Sequence, residues 1–177
     1  MSHIIRFFVL LSAVLLVACG PAAWESNVES NIDVQVEENK ALVRREIEEI
    51  WNQGKLDVID EIFAADFILH EPVAGEVRGP EGLKQFVTMN RTAFPDFQLT
   101  IEDMFAEGDK VAVRWSWTGT HKGEFMGIPP TGVQVIMTGI SIGHFTGGKI
   151  MEAWDYGDAL GLMQQLGMDL KPKEVEK

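Results

Sequence analysis

Cysteine and histidine are both scarce in this chain of 177 residues. It has one cysteine, Cys19, and four histidines. A lone thiol can form neither an internal disulfide nor a cysteine-based metal site. His70 and His121, with Glu71 beside the first, do not stand at the short ligand spacing that is typical of zinc-binding motifs. We therefore expect no metal and no disulfide.

Basic residues are also few. The chain has 15 lysines and arginines against 27 acidic residues, and its formal net charge is −12. A surface of this charge repels phosphate backbones, and no basic patch interleaved with aromatics offsets it, so nucleic acid is excluded as a partner. A hydrophobic share of 46% instead predicts a folded domain with a substantial core. A serine-hydrolase elbow and a phosphate-binding glycine loop are absent.

The longest apolar run, residues 7–17, is too short to span a bilayer but suits a secretory signal. Residues 1–18 are thus predicted to be a signal peptide. The sequence LVAC at residues 16–19 resembles the bacterial lipobox, which implies a lipidated Cys19 as membrane anchor. Since Gly20 follows, the resemblance implies the periplasmic side of the outer membrane in a Gram-negative cell envelope. An ordinary signal peptide or an uncleaved anchor remain the alternatives.

Between the leader and the domain lies a polar, acidic stretch without a sustained hydrophobic period. We interpret residues 19–38 as an acidic tether. As a flexible coil of about 20 residues, it would span roughly 25 Å. The folded domain is assigned to residues 39–168, and residues 169–177 form a charged tail.

Hydrophobic periodicity and the glycine and proline positions predict the elements of the domain. Helices gathered before an antiparallel meander indicate the α+β class, with a bent sheet wrapped over a helix and a cavity inside. The predicted helices cover residues 39–53, 56–63, 79–95 and 159–166, and the predicted strands cover residues 66–70, 97–106, 111–118, 133–145 and 150–156.

Two of these strands enclose the most informative loop. Strand 111–118 alternates, so that Trp115 and Trp117 share one face. Strand 133–145 is apolar and β-branched on both faces, which predicts a central strand covered from each side. Because prolines and glycines exclude a helix between them, the loop should place His121 at the rim of the sheet.

In order along the chain, several short motifs resemble SnoaL-like polyketide-cyclase or ester-cyclase proteins of the nuclear-transport-factor-2-like superfamily. Each motif is modest alone, and together they cover residues 39–167. The motifs are DFILHEP at 66–72, GPEG at 79–82, AFPDF at 93–97, GTHKGEFMGIPPTG at 119–132, GKI at 148–150, and Trp154, Asp158 and LMQQLG at 162–167.

The resemblance implies a cone-shaped, cystatin-like barrel in which a strongly curved, mainly antiparallel sheet wraps over helices. It also implies a deep apolar pocket for a small hydrophobic molecule and a homodimer formed through the outer sheet face. The best-known members close a ring by an intramolecular aldol reaction, with a histidine and an aspartate as acid and base. They use no metal or organic cofactor, and none is expected here.

The resemblance and the chemistry of proton transfer give three candidate catalytic residues, His70, His121 and Asp158. His70 resembles the family's pocket histidine. His121 resembles its loop histidine, or else fastens the loop by hydrogen bonds. The family's strand aspartate has no counterpart, because no carboxylate lies between Glu124 and Glu152. Asp158 or Glu71 could replace it, and Asp158 could instead simply cap the last helix.

Three functions of the predicted pocket and sheet remain open. The first is acid–base catalysis on a small hydrophobic carbonyl or ester compound. The second is non-catalytic binding of an apolar molecule in the envelope, and the third is an interaction module that uses the exposed sheet face. The predicted substrate-binding residues are Glu71, Trp117, Phe125, Met126 and Trp154.

Overall fold

The computed structural model describes residues 23–169, with side chains from residue 33 onward. The predicted signal peptide, Cys19 and most of the charged tail lie outside the described residues. Within them, no helix combines the length and apolar character needed to cross a membrane. The elements are helix α1 (Ala23–Arg45), a π-helical segment (Glu46–Asn52), helix α2 (Val58–Ile62), strands β1 (Phe63–Glu71) and β2 (Gly75–Arg78), helix α3 (Gly79–Ala93), strands β3 (Gln98–Glu107), β4 (Lys110–Thr120), β5 (Gln134–Thr146) and β6 (Lys149–Gly157), and helix α4 (Ala159–Gln165).

The six strands form one strongly curved sheet in the order β2-β1-β6-β5-β4-β3. All neighbouring strands are antiparallel except β1 and β6, which run parallel. This arrangement confirms the predicted α+β class. The predicted strands all form, whereas β2 was missed because four residues carry too short a pattern to identify a strand.

The core lies between the concave face of the sheet and the helices. Alternate side chains of β4 point into it, as the sequence pattern predicted. One hydrophobic cluster joins the sheet to the helices, which fixes the concave face as the inside of the molecule. Its buried members include Val43, Ile47, Ile50, Leu83, Val87, Val111, Val113, Trp115, Trp117, Val135 and Phe145.

The opposite face of β5 corrects one prediction. Strand 133–145 was expected to be covered on both sides, but Ile136 is 53% exposed and Ile140 is 51% exposed. Val135 and Phe145, which point the other way, are buried. The β-branched residues on the outer face satisfy strand propensity without burial, so an apolar pattern on both faces could not reveal which face the helices cover.

The acidic stretch before the domain corrects a second prediction. Helix α1 runs from Ala23 to Arg45, so residues 23–38, which were expected to be coil, are helical and continue into the helix predicted from residue 39. No glycine or proline interrupts this segment, and Lys40 pairs with Glu37 at 2.7 Å, three residues apart. The buried Val43, together with Ile47 in the π-helical segment that follows, fixes the C-terminal end of this helix. From there it extends toward Ala23 at little cost, because nucleation is the costly step.

Candidate active site

A cavity of about 440 Å³ opens between the concave face of the sheet and the helical layer. Its walls are mostly apolar and aromatic, as in small-molecule sites. Helix α1, the π-helical segment, helix α3 and strands β4 to β6 all contribute to it. The aromatic lining consists of Trp51, Phe63, Phe67, Phe86, Phe97, Trp115, Trp117, Phe125 and Phe145. The polar side chains in the lining are Glu46, Glu71, Asn90, Ser141 and Asp155.

Glu46 enters the cavity from the start of the π-helical segment. The indole Nε1 of Trp51 donates to its Oε1 at 3.3 Å. Burial and, to a smaller extent, the neighbouring charge of Asp155 together raise the pKa of Glu46 to about 8, against the opposing effect of the Trp51 hydrogen bond. Glu46 is therefore mainly protonated at pH 7 and can donate a hydrogen bond or a proton.

Asp155 reaches the cavity from β6, directly opposite Ser141 of β5. Trp115 Nε1 donates to Ser141 Oγ at 2.7 Å, which leaves the serine hydroxyl hydrogen free for Asp155. The pKa of Asp155 is raised to about 6. Burial is the main cause of the increase; the Ser141 hydrogen bond opposes it, and the charge of Glu71 adds to it. Asp155 is thus mostly ionised at pH 7, when Glu46 is mostly neutral.

Glu71 lies near the mouth of this cavity, at the end of β1. Its Oε2 accepts a hydrogen bond from the backbone N–H of Val73 at 2.8 Å and another from that of Ala74. Val73 is 42% exposed and Met126 is 50% exposed, and both line the cavity. These exposed apolar side chains mark the entrance.

The structure separates the predicted ligand contacts into two groups. Glu71, Trp117, Phe125 and Met126 line the cavity, but Trp154 does not. The reason is an irregularity in β6: Phe145 pairs with Ile150 and His144 with Glu152, so Met151 is an extra residue. This bulge reverses the alternation. Asp155 therefore points inward and Trp154 outward.

His70 also lies on the outer face. It pairs with Trp154 across the parallel β1–β6 ladder, and the two rings are stacked with 5.0 Å between their centroids. His70 Nε2 lies 2.8 Å from Oε1 of Glu152, which is also on that face. His70 was predicted to lie in the pocket, but the structure places it on the outer face of the sheet. On the same strand, Phe67 and Leu69 point to the opposite face from His70 and line the cavity.

His121 is the first residue of the loop between β4 and β5, and its side chain is fully buried. Its Nδ1 accepts a hydrogen bond from the backbone N–H of Thr131 at 3.3 Å and lies 3.1 Å from the Thr131 hydroxyl. The backbone of His121 bonds both Gly132 and Val133. These contacts match the loop-fastening alternative. His121 Nε2 has no hydrogen-bond partner among the described residues, and the side chain is not part of the cavity lining.

Asp158 caps α4, since its Oδ1 accepts from the Gly161 N–H at 2.8 Å. It too lies outside the cavity lining, so the structure does not bring His70, His121 and Asp158 together.

The sequence reasoning missed Glu46 and Asp155. Glu46 was detectable, because it follows Val43 by three residues on the apolar stripe. In the part of the chain that the structure describes, no three His, Cys, Asp or Glu side chains are arranged to hold a metal ion.

Comparisons with known proteins agree with this architecture. The sequence profile of the family described as SnoaL-like polyketide cyclase matches residues 41–166. The chain is 36% identical over 135 residues to aklanonic acid methyl ester cyclase DauD of Streptomyces sp. (strain C5), covering 71% of this chain and 80% of that protein. It is 33% identical over 132 residues to aklanonic acid methyl ester cyclase DnrD of Streptomyces peucetius, covering 71% and 88%.

The fold agrees as well. A SnoaL-like crystal structure from Jannaschia sp. CCS1 superposes with a TM-score of 0.70 at 26% identity, over 76% of this chain and 94% of that one. The family profile covers most of the chain, and the curved sheet with its apolar cavity is the architecture that the sequence motifs implied. The chain belongs to the SnoaL-like polyketide cyclase family.

Proposed function

We propose that the domain catalyses cofactor-independent acid–base conversion, of cyclase type, of a small hydrophobic carbonyl or ester compound. One observation carries this proposal. Two carboxyl groups, Asp155 and Glu46, face the same apolar cavity, and their pKa values of about 6 and about 8 lie on either side of neutrality. Pairs of titratable groups with separated pKa values supply one base and one acid at the same pH.

In this scheme, ionised Asp155 removes a proton from the carbon next to a substrate carbonyl. The resulting enolate attacks a second carbonyl of the same molecule, and protonated Glu46 delivers its proton to the oxygen that becomes negative. No atoms are gained or lost in the ring closure. Asp155 ends protonated and Glu46 ionised, so a proton returns from one to the other before the next cycle.

The second candidate is a binding protein that retains an apolar molecule without changing it. The positions of His70, His121 and Asp158 favour this alternative, since none of the three lines the cavity. An enclosed aromatic pocket can hold a ligand without catalytic groups. Turnover by Asp155 and Glu46 is what would distinguish the two functions.

The test uses aklanonic acid methyl ester, the compound named for the relatives, with the full chain and product analysis by liquid chromatography and mass spectrometry. We expect turnover that Asp155→Asn and Glu46→Gln each reduce by about 100-fold or more, within the range of general acid–base catalysis. Glu107→Gln, at the exposed end of β3, is the matched control.

His70→Ala belongs in the same series, because it separates the two assignments of the site. Turnover that survives His70→Ala and is lost in Asp155→Asn supports the cavity carboxyl groups. The reverse result would return the chemistry to the outer-face histidine. Tight binding of the ester without any product would instead support the binding function.

The cellular setting is a further part of the proposal. We place the domain in the bacterial cell envelope, anchored through lipidated Cys19 to the outer membrane of a Gram-negative cell, as the lipobox resemblance implies. Intact mass of the chain purified from membranes tests this. A chain that lacks residues 1–18 and carries acyl groups supports the anchor, whereas an unmodified Cys19 contradicts it.

We also propose that two copies associate through the outer sheet face, where Ile136, Ile140 and Ile142 are exposed. Light scattering after size exclusion should give twice the chain mass, and Ile140→Lys should give the monomer. If association persists without any ligand bound to the cavity, the interaction-module alternative gains support. A wild-type monomer would exclude both the dimer and that form of the module.

A further inference from the structure

On one side of Asp155, the protein itself fills the inner surface of the sheet. Gly139 of β5 and Gly157 of β6 are paired there, two positions along from the Asp155 pair. A methyl group added at Gly139 would overlap the Trp115 ring, and one added at Gly157 would overlap the end of the Met137 side chain. Because these two side chains cover the glycines, a ligand has no room directly above them.

On the other side of the carboxyl group, the inner surface is open. Gly143 and Ala153 form the next inward-facing pair of β5 and β6, and both line the cavity. Apart from its chain neighbours, a methyl group added at Gly143 would meet only the Phe145 ring within 4 Å, at 3.1 Å. Leu69 pairs with Ala153, and Val111 pairs with Gly143. The two small residues therefore leave an apolar recess between aliphatic neighbours.

This recess lies at the closed end of the cavity. Val111 and Phe145, which border it, are buried, whereas Val73 and Met126 at the mouth are exposed. A ligand that enters at the mouth reaches the recess last, after it has passed the carboxyl group of Asp155. The recess can therefore hold only the end of a ligand.

Flat aromatic rings line a different part of the cavity. Trp117 lies near the end of β4, away from Val111 at its start. The Trp117 ring stacks on Phe97 with 4.8 Å between centroids, and the Trp51 ring lies 5.6 Å from that of Phe97. All three rings line the cavity. Such rings favour offset stacking with a flat aromatic group, while the recess suits an aliphatic one.

We propose that Gly143 and Ala153 determine specificity, because the recess that they leave open takes an alkyl chain of the ligand, attached to a carbonyl group that lies beside Asp155. A ring system at the other end of the ligand lies against Trp117. The inference rests on the proposed function only in taking this cavity as the ligand site. It adds the orientation of the ligand, in which the first carbon of the chain, next to the carbonyl group, lies within reach of the base.

The test measures how strongly alkyl naphthalen-2-yl ketones bind to the full chain, by isothermal titration calorimetry at pH 7. The series consists of the methyl, ethyl, propyl, butyl and pentyl ketones, which differ only in the chain that the recess would take. We expect affinity to rise by about 3-fold for each added methylene group, since each one leaves water for an apolar surface. The rise should end when the recess is full.

Two variants fill the recess, and a third serves as the matched control. Ala153→Leu should remove most of the gain with chain length, while the methyl ketone still binds. Gly143→Ala, a smaller change, should reduce the gain for the longer chains, and it decides the question if Ala153→Leu does not fold. Ala159→Leu adds the same bulk to the cavity lining at the start of α4. It should retain the dependence on chain length.

The outcomes separate this inference from the proposed function. Affinities that do not depend on chain length, or a dependence that the recess variants retain, would overturn the inference, because the chain would then lie elsewhere. Loss of the dependence in Ala159→Leu, or failure of every ketone to bind, would also overturn it. Binding is measured without turnover, so an inactive protein with the expected dependence would contradict the proposed catalysis and leave this inference intact.

Discussion

Trp51 Nε1 donates a hydrogen bond to Glu46 Oε1 at 3.3 Å, and the two residues lie five positions apart. In an α-helix, neighbouring side chains are three or four positions apart. The π-helical segment from Glu46 to Asn52 closes i to i+5 backbone hydrogen bonds. The Gln53 backbone N–H donates to the Glu48 carbonyl oxygen at 3.1 Å, and the Gln53 side-chain amide donates to the Glu48 carboxylate at 2.8 Å. This irregular segment is what pairs the buried Glu46 carboxyl group with an indole donor.

Glu46 should make the folded state less stable as the pH rises. Its pKa is raised by burial from an ordinary value of 4.5 to about 8, so the folded protein binds this proton more tightly than the unfolded chain. That stabilisation is complete below pH 4.5 and is lost as the pH rises toward 8. Glu46→Gln, which cannot ionise, should therefore gain melting temperature relative to the wild type across this range.

The measurement is thermal unfolding of both proteins between pH 4.5 and 8.5. The expected result is a melting-temperature difference that grows with pH. Glu107→Gln controls for the loss of one negative charge from an already acidic chain. A difference that stays constant with pH would mean that Glu46 is ionised in the folded protein.

Turnover should depend on pH as a bell-shaped curve. The rate should rise through about pH 6, where Asp155 ionises, and fall through about pH 8, where Glu46 loses its proton. The profile is measured as kcat/KM for aklanonic acid methyl ester. Residual activity of Glu46→Gln should lack the alkaline fall. An unchanged profile in that variant would assign the acid to another group.

His121→Ala should destabilise the protein. The side chain is fully buried and bonds Thr131, so its removal leaves a cavity and an unbonded amide. We expect the free energy of unfolding to fall by about 2–4 kcal/mol, measured by urea denaturation. Thr131→Val, which removes only the hydroxyl contact, should cost about 1 kcal/mol. An unchanged stability together with lost turnover would instead make His121 a catalytic residue.

Gly139→Ala should disturb the cavity wall. A methyl group there would overlap the Trp115 ring and lie 2.6 Å from the Tyr156 carbonyl oxygen. Relief of that overlap would displace Trp115 from its hydrogen bond to Ser141. We expect a loss of about 1–3 kcal/mol in the free energy of unfolding and lower turnover of aklanonic acid methyl ester.

Gly143→Ala is the matched control, since it lies on the same strand and its added methyl group would meet the Phe145 ring at 3.1 Å. This ring can shift more easily than two rigid neighbours. The control should therefore lose less stability than Gly139→Ala. Equal losses would show that strand flexibility, and not the position of Trp115, determines the cost.

Apart from β2, the sequence determined the order of the elements in the domain, the α+β class and the inward face of β4. Local pattern is sufficient for these features, because an uninterrupted alternation such as Val111 to Trp117 has one buried face whatever the partner strands are. It also identified Trp117, Phe125 and Met126 as cavity residues. The family motifs established the membership that the comparisons show.

Only the tertiary structure decided which side chains share the cavity. The bulge at Met151 reverses the alternation of β6 and directs Asp155 inward and Trp154 outward, and no residue near it marks that reversal. The parallel pairing of β1 with β6 then sets His70 against Trp154 on the outer face. Side chains distant in sequence, such as Glu46 and Asp155, meet only through these pairings, and their pKa values depend on burial that no local pattern contains.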